Sequence, residues 1–534
     1  MKKSVISVLA LMAMMFSGAY AQETLKQATT QTAVDSTFLK NWAHSNFQTT
    51  QVYGVATHEA LAFLKEKNRK PQPIVVGVLD SGVEYYHEDL KNNMWVNPKE
   101  KAGNKKDDDK NGYTDDIHGW SFLATQTGES YSADNLELTR QLAKYNAKAT
   151  SGQPLSPKEQ EYYLKLKRDY YAKIGRFTMN KEQHKARLAI LEPRLEALKK
   201  ALKNQKLTKE NISEFNADND LAYEGLFIFT ELKEEDYVGK NADDVIDSYL
   251  KKAKTPYTSA ENQLETSYNL ALNPKSGVSG KLYGNADVKG LSAGHGTHVA
   301  GIIAAEWGND KGIYGTGGGN HVKIMGVAVV PEGDERDEDI ANGIYYAVNN
   351  GAKILNMSFG KGYSENPKLV QDAFRYAESK DVLIVTSAGN SNLDTDVNTS
   401  YPTIFVDGQP ISKSVLVVGA SSRHKDNLKA RFSNYGKKTV DVFAPGTEYY
   451  STYPGTTTYK FLQGTSMASP AVAGVAALVW SHYPKLKATD IRTIIMETVN
   501  KNDQLMTISV SGGVVDAYKA VQKAEEIYKQ RKLK

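Results

Sequence analysis

Six short apolar segments rich in Val and Ile constrain the fold of this chain more than any other feature. They span residues 74–79, 322–330, 354–357, 382–386, 415–418 and 440–443. Each is nearly continuous rather than alternating, so both faces of the strand are buried, as in a parallel sheet covered by helices. Amphipathic stretches at 339–350 and 367–379 lie between them. The sequence therefore predicts an α/β fold with a doubly wound, mostly parallel sheet, flanked by helices.

Residues 124–280 differ in composition, being rich in Lys, Glu, Tyr and Leu and lacking the Val/Ile segments. Ser156 and Glu159 form a capping box that predicts the start of a helix. A leucine seam with spacings of three and four residues predicts a helix pair. It consists of Leu188, Leu191, Leu195, Leu198 and Leu202. Pro193 is expected to kink or split that helix. We interpret the region as a mainly α-helical insertion, which either packs only on itself or serves as a lid or partner-binding arm.

The first 21 residues have the pattern of a secretory signal peptide. Lys2 and Lys3 precede an apolar run over residues 5–16, and Ala19 and Ala21 supply the small residues of a cleavage site before Gln22. The run is shorter than the roughly 20 residues that span a bilayer. An uncleaved anchor is the alternative. The sequence predicts an exported protein, periplasmic or extracellular, with no stable membrane insertion.

Composition excludes several classes of function. The chain has no cysteine, which removes disulfides, thiolate metal sites and a cysteine nucleophile. Its formal net charge is +4, and no basic stripe stands out, so nucleic acid is not an expected partner. The oligomeric state is left open.

Three segments supply an acid, an imidazole and an alcohol. Asp80 ends the first apolar segment, His295 stands at the start of a small-residue helix in GHGTHVAG, and Ser466 precedes an apolar helix in GTSMASP. An Asp at a strand end can orient an imidazole, which can take the proton of a serine hydroxyl. Backbone N–H groups at the start of the Ser466 helix would face a developing oxyanion. The pattern therefore predicts nucleophilic catalysis.

These segments, in the order Asp, His, Ser, resemble the signature motifs of the subtilisin-like serine proteases. Four further segments agree: residues 354–360, 386–390, 432–436 and 441–446. The resemblance covers about residues 54–94 and 291–521 and skips the insertion. It implies a serine endopeptidase that hydrolyses polypeptide substrates through an acyl-enzyme. The alternatives are a catalytically silent peptide-binding protein with the same fold and a hydrolase of esters or other amides.

The resemblance also implies roles for individual residues. Ser466 would be the nucleophile, His295 the general acid–base and Asp80 its orienter, while Asn390 would donate its side-chain amide to the oxyanion. A substrate-pairing edge and the wall of the primary specificity pocket complete the expected site. They comprise Ser358, Phe359 and Gly360 for the edge, and Ser387, Ala388 and Gly389 for the wall. A cis peptide is expected at Tyr401-Pro402.

An acidic segment follows an Asp-x-Asp-x-Asn-Gly spacing that suits the oxygen ligands of calcium. The candidate ligands are Asp107, Asp109, Asn111, Tyr113, Asp115 and Asp116. No Glu stands at the twelfth position, where His118 lies, and a solvated acidic turn is the alternative. The resemblance adds Asp89 as a ligand of a second calcium site, with the loop at 308–312 as its partner. We expect His298 to be a packed helix residue rather than a metal ligand.

The predicted organisation combines these features in six parts. They are a signal peptide (1–21), an N-terminal extension (22–52), the first part of the catalytic domain (53–123), the helical insertion (124–280), the second part of the catalytic domain (281–522) and a C-terminal helical tail (523–534).

Overall fold

The structure is a computed structural model that describes residues 36–125, 127–208, 232–272 and 282–533. The predicted signal peptide and the beginning of the N-terminal extension lie outside the described residues. So do residues 209–231 and 273–281 of the predicted insertion. In the described ranges, no helix is both long and apolar enough to cross a membrane.

A nine-stranded sheet forms the centre of the molecule. Its strands are β1 (Ile74–Asp80), β2 (Gly119–Ser121), β3 (Val322–Ala328), β4 (Ile354–Met357), β5 (Leu383–Ser387), β8 (Val415–Ser421), β9 (Val442–Pro445), β12 (Asn500–Lys501) and β13 (Gly513–Val514). The strand order is β12-β13-β9-β8-β5-β4-β1-β3-β2, and every pair is parallel except β12 with β13. The predicted doubly wound, mostly parallel sheet is confirmed. Two small antiparallel pairs lie outside it: β6 (Phe405–Val406) with β7 (Gln409–Pro410), and β10 (Tyr449–Tyr453) with β11 (Thr458–Leu462).

Helices cover both faces of the sheet. In chain order they are α1 (Ser36–Asn41), α2 (Phe47–Thr50), α3 (Thr57–Glu66), α4 (Glu137–Thr150), α5 (Pro157–Leu202), α6 (Glu234–Tyr237), α7 (Ala242–Asn262), α8 (Gly294–Ala304), α9 (Asp337–Asn349), α10 (Pro367–Ser379), α11 (Thr465–His482), α12 (Ala488–Glu497), α13 (Asp503–Met506) and α14 (Ala517–Gln530). Ile354 of β4 packs in the core that contains α8, α11 and α14, whereas its neighbour Leu355 packs in the core that contains α9 and α10. Burial on alternating faces explains why the strand segments are continuously apolar.

The insertion consists of α4 to α7, between β2 and α8. The capping box predicted at Ser156 and Glu159 is present at the start of α5. The leucine seam packs against α7, where Leu195 and Leu198 meet Val245 and Ile246 in one apolar cluster. Of the two predicted effects of Pro193, the split is wrong, because α5 runs unbroken over 46 residues, and the kink stays a prediction. The lost backbone hydrogen bond at a proline is offset here by burial of the seam on either side of it.

The predicted boundary between residues 522 and 523 falls inside α14. That helix packs on the core along its length, with Ala520, Ala524 and Tyr528 all buried in the same cluster as α11. The other predicted boundaries stay predictions.

Candidate active site

The carboxyl ends of β1 and β3 form the floor of a cleft. Asp80 is the last residue of β1 and is 1% exposed. Its carbonyl oxygen accepts hydrogen bonds from Val329 N–H at 2.9 Å and Val330 N–H at 3.1 Å, so the chain turns as it leaves β3. Its carboxylate Oδ1 accepts a hydrogen bond from Ser81 N–H at 2.7 Å. The backbone therefore holds this carboxylate in one orientation.

His295 lies in the first turn of α8, with its Nδ1 2.7 Å from Asp80 Oδ1. The helix can approach this closely because Gly296 has no side chain: a Cβ there would lie 2.2 Å from the Gly82 carbonyl oxygen. Burial alone would lower the pKa of His295. The charge of Asp80 and the hydrogen bond between the two groups outweigh burial and raise that pKa above its ordinary value. The fold thus pairs the imidazole with the carboxylate, whereas their catalytic roles stay a prediction.

Ser466 is the second residue of α11, and every other residue of that helix is buried. Its hydroxyl donates to the Ser358 carbonyl oxygen at 3.1 Å, rather than to His295. The Ser358 hydroxyl donates in turn to the Ser466 carbonyl oxygen at 3.0 Å. Ser466 therefore lies directly against the chain that leaves β4.

Two amide donors converge near Ser466. The Asn390 Oδ1 accepts hydrogen bonds from Thr465 N–H at 2.8 Å and from the Thr465 hydroxyl at 2.9 Å, which fixes the orientation of the Asn390 amide. A Cβ built on Gly464 would lie 3.5 Å from Asn390 Nδ2 and 3.5 Å from Ser466 N. One point beside the Ser466 side chain is thus within reach of both groups, as an oxyanion would require.

The predicted substrate-pairing edge leaves β4 along one side of the cleft. Ser358 and Phe359 line a cavity of about 530 Å³ that also contains Asp80, His295 and Glu332. Glu332, together with Tyr453 on the same cavity, was not among the predicted site residues. The sequence has no motif for them, because they come from loops that only the fold brings to the cleft.

The predicted pocket wall lies on the other side of the edge. Gly360 and Phe359 share a second cavity of about 560 Å³ with the end of β5 and the residues after it. Those residues include Ser387, Ala388, Gly389 and Asn390. The far side is closed by the chain around the Tyr401-Pro402 peptide, which is cis as predicted. The structure therefore groups the predicted edge and wall around one pocket.

The acidic segment forms a compact loop before β2. Carboxylate oxygens of Asp107, Asp109 and Glu100 lie within 4.8 Å of one another. Asp115 Oδ1 is buried in the same loop and has no hydrogen-bond partner among the described residues. Oxygen donors gathered in this way suit a hard cation. Glu100 was missed because it precedes the motif by seven residues, so only the folded loop brings it to Asp107.

The other predicted cation ligands have different surroundings. Asp116 is fully buried and accepts hydrogen bonds from the Tyr346 hydroxyl at 2.7 Å and from Asn97 Nδ2 at 2.8 Å. Asn111 Oδ1 accepts from Tyr113 N–H at 2.7 Å, and the Tyr113 ring packs against Trp120 and Tyr346. Within the motif, Asp107, Asp109 and Asp115 thus offer oxygen atoms that suit a cation. Asn111, Tyr113 and Asp116 instead make contacts within the loop and with the core.

Asp89 lies against the loop that the resemblance paired with it. Its Oδ1 accepts a hydrogen bond from Asn309 Nδ2 at 2.7 Å, and its Oδ2 accepts one from Ile313 N–H at 3.3 Å. Burial raises the pKa of Asp89 above its ordinary value, although these hydrogen bonds oppose the rise. A second cation site at Asp89 stays a prediction.

His298 is fully buried on α8. Its Nε2 lies 3.0 Å from the Lys460 carbonyl oxygen and 3.2 Å from the Tyr449 carbonyl oxygen. Burial lowers its pKa to about 4. These contacts are those of a packed helix residue that joins α8 to β10 and β11.

Known proteins are similar to this chain in sequence. The model of the subtilase family matches residues 243–514. Thermitase from Thermoactinomyces vulgaris is 43% identical over 230 residues, which are 43% of this chain and 75% of thermitase. Subtilisin DY from Bacillus licheniformis is 40% identical over 223 residues, which are 41% of this chain and 74% of that protein. A solved protease structure from Pseudoalteromonas arctica has a TM-score of 0.48 and 20% identity, covering 92% of this chain and 98% of its own.

Proposed function

The chain belongs to the subtilase family and is a subtilisin-like serine endopeptidase, and we propose that it is exported and cleaves polypeptides through an acyl-enzyme on Ser466. The observation that carries this proposal is the 2.7 Å contact between His295 Nδ1 and Asp80 Oδ1 at the floor of the cleft. An imidazole oriented through Nδ1 by a carboxylate offers its Nε2 as a general base.

In the proposed reaction, the Ser466 hydroxyl turns from the Ser358 carbonyl to His295 Nε2 and gives up its proton as its oxygen attacks the scissile carbonyl. Catalytic hydrogen bonds are often long or misaligned in a free enzyme and form fully only with substrate. Asn390 Nδ2 and Ser466 N–H stabilise the oxyanion of the tetrahedral intermediate. His295 then donates the proton to the leaving amine, and water releases the acyl group in the reverse sequence. Asp80 stays ionised throughout.

The substrate would pair its backbone with the Ser358–Gly360 edge. The side chain before the scissile bond would then enter the 560 Å³ cavity, between the edge and residues 387–389. Unpaired backbone groups at a strand edge recognise extended polypeptides, which favours peptides over simple esters.

A serine-directed fluorophosphonate tests the nucleophile. Labelling of the wild-type protein and its loss in Ser466→Ala are expected, because the reagent captures only an activated serine. The Asn390→Ala variant keeps the nucleophile but loses one oxyanion donor, so its kcat should fall by about 10²–10³. Equal labelling of wild type and Ser466→Ala would remove Ser466 from the mechanism. A wild type without labelling or peptidase activity would instead favour the silent peptide-binding protein.

Export is supported by the signal pattern of residues 1–21. Protein recovered from the periplasm or the medium should begin at Gln22, as measured by N-terminal sequencing. Recovery of the chain only from the cytoplasm, with residues 1–21 still attached, would contradict this part of the proposal.

We further propose a structural calcium ion in the acidic loop. Glu100, Asp107 and Asp109 would hold it, with the orphan Asp115 Oδ1 as a further donor. The ion would supply positive charge to a loop whose carboxylates otherwise repel one another, and it takes no part in peptide hydrolysis. Chelation should lower the melting temperature, by the equivalent of about 2.7 kcal/mol if calcium stood at 100 times its Kd. An Asp107→Asn, Asp109→Asn double variant should lose this sensitivity to the chelator. A wild type that is indifferent to both chelator and added calcium would exclude the site.

A further inference from the structure

The insertion contacts one side of the substrate cleft through a short strand-like pairing. Residues 132–135, just before α4, run beside residues 332–335, which we call the outer wall. Asp134 N–H donates to the Glu332 carbonyl at 3.1 Å, and Glu332 N–H donates to the Ser132 carbonyl at 2.6 Å. Asp334 N–H also donates to the Asn135 carbonyl at 3.3 Å, so the pairing continues along the outer wall.

The Ser358–Gly360 edge, which we call the inner wall, lies across the cleft from the outer wall. Glu332 of the outer wall and Ser358 of the inner wall line the same cavity beside His295. Neighbouring strands are about 4.8 Å apart, so a polypeptide that pairs with both walls needs them about 10 Å apart. The spacing of the walls therefore decides whether an extended substrate can form both sets of hydrogen bonds.

Lys361 ties the two walls together. It directly follows Gly360, and its side chain is 0% exposed. Its Nζ donates to the Glu335 carbonyl of the outer wall at 2.6 Å. The same Nζ lies 2.8 Å from Asp337 Oδ1 and 3.5 Å from Glu137 Oε2. The end of the inner wall is thereby fixed to the end of the outer wall and to the first residue of α4.

The insertion completes this buried network with Glu137 and Arg140. The Arg140 guanidinium donates to Glu137 Oε2 at 2.6 Å and to the Asp334 carbonyl at 3.1 Å. The Glu137 N–H donates to Asp334 Oδ2 at 2.8 Å. Burial opposes the charge of Lys361, but the nearby carboxylates outweigh it and raise the lysine pKa above its ordinary value. Glu137 thus lies beside two buried cations at once, Arg140 and Lys361, and shares Lys361 with Asp337.

Loss of one partner from a buried ion-pair network leaves an uncompensated charge that forces its neighbours to rearrange. Here the neighbours are the carbonyls and side chains that set the distance between the walls. Asp80, His295 and Ser466 have no contact with Glu137 or Arg140 among the hydrogen bonds and ion pairs of the described residues. A change in the network should therefore act on the binding of long substrates and leave the chemical step alone.

We propose that the insertion is a positioning element for extended polypeptide substrates: Glu137 and Arg140 hold Lys361 and the outer wall so that the two walls keep the spacing of a strand. This inference rests on the proposed function. Glu137 and Arg140 act through the walls and do not touch the reacting atoms, so they are positioning residues. Substrates that occupy only the primary pocket do not use the spacing.

The test compares two acylated esters that share their last residue and leaving group, one with a single residue and one with four. In Glu137→Gln, the KM of the four-residue ester should rise about tenfold, the equivalent of one lost backbone hydrogen bond, with kcat nearly unchanged. Both constants of the single-residue ester should match the wild type. The matched control is Glu261→Gln, which removes another lysine-paired carboxylate of the insertion, 2.9 Å from Lys181 Nζ, and should alter neither ester.

Arg140→Lys provides a second variant should Glu137→Gln fail to fold. Lysine keeps the positive charge but lacks the branched guanidinium group that donates to the Asp334 and Glu335 carbonyls. The KM of the four-residue ester should therefore rise, and that of the single-residue ester should not. Equal effects on both esters, or unchanged constants in folded variants, would overturn the positioning role. A wild-type protein that hydrolyses neither ester would instead overturn the proposed function itself.

Discussion

Helix α11 of the catalytic body and helix α5 of the insertion have opposite environments. The catalytic body is the sheet with α3 and α8 to α14. All residues of α11 except Ser466 are buried, and small side chains let the helix lie against several strands. In α5, only Leu166, Tyr170, Leu188, Leu195, Leu198 and Leu202 are buried among 46 residues. Tertiary packing therefore stabilises α11, whereas α5 depends on local helix propensity and a narrow apolar seam.

This difference separates the region that holds the proposed catalytic residues from the region that we propose to position extended substrates. The dense body holds His295 Nδ1 2.7 Å from Asp80 Oδ1 and Ser466 against Ser358, because close-packed surroundings allow few alternative positions. The described residues of the insertion are mostly solvated, and they form a dense, charged structure around Glu137 and Arg140. Substitutions in the body should be costly in activity or stability, and those on the solvated insertion should not.

The largest expected effect comes from Asp80→Asn in the body, which should lower kcat by about 10⁴. The neutral amide no longer fixes the imidazole tautomer or stabilises its protonated form. The proposed reaction needs neutral His295, and the raised pKa of His295 should make wild-type kcat/KM fall as pH drops through a value above 6.5. Without the charge of Asp80, burial alone remains and lowers that pKa, so the acid limb should move to lower pH.

A pH profile of kcat/KM checks this shift. The control in the insertion is Asp169→Asn, since Asp169 is also an ion-paired carboxylate, next to Lys165 at 3.0 Å. An acid limb that stays in place in Asp80→Asn would separate Asp80 from the titration of His295.

A smaller effect is expected from Gly474→Ala in α11. The new Cβ would lie 1.9 Å from Thr316 Oγ1, which donates to the Ile302 and Ala471 carbonyls and cannot move without losing them. Overpacking of this kind should lower the free energy of unfolding by about 1–3 kcal/mol. Urea denaturation measures the loss, and an unchanged midpoint would mean that the body is less tightly packed than its distances indicate.

The smallest effect, and one of opposite sign, is expected from Gly175→Ala in α5. Nothing lies within 4 Å of the added Cβ, and the position is in the middle of the helix. Alanine should therefore stabilise the insertion by about 0.5–1 kcal/mol through helix propensity alone. Denaturation, followed by a signal from the insertion, measures whether the substitution raises or lowers the stability of this region. Destabilisation would show that this face of α5 is packed in solution and would remove the contrast with α11.

Much of the fold could be predicted from local patterns. The helix at 367–379 has the predicted bounds, and the strand at 354–357 does as well. Both lie in the body, where burial on both faces makes the strand continuously apolar and burial of one face makes the helix amphipathic. A split at Pro193 was wrongly expected because a rule for an isolated helix ignores the burial of Leu195 and Leu198 against α7. Packing energy from a distant segment decided that case.

The candidate site divides in the same way. Asp80, His295 and Ser466 were predicted because each lies in a short motif that suits its proposed role, and Asn390 was predicted from the resemblance of residues 386–390 to the family. Glu100 and Glu332 were not, since their positions depend on how loops fold back on the sheet.

By itself, the sequence determined six strands of the central sheet, the order of the predicted reactive groups and the helical character of the insertion, because periodicity and short motifs express local burial and backbone geometry. Only the tertiary structure decided that Lys361 is buried between the walls of the cleft and that Glu137 from the insertion faces it. A charge is stable in the interior only where opposite charges from remote segments meet it. That meeting depends on the folded chain as a whole and has no local pattern.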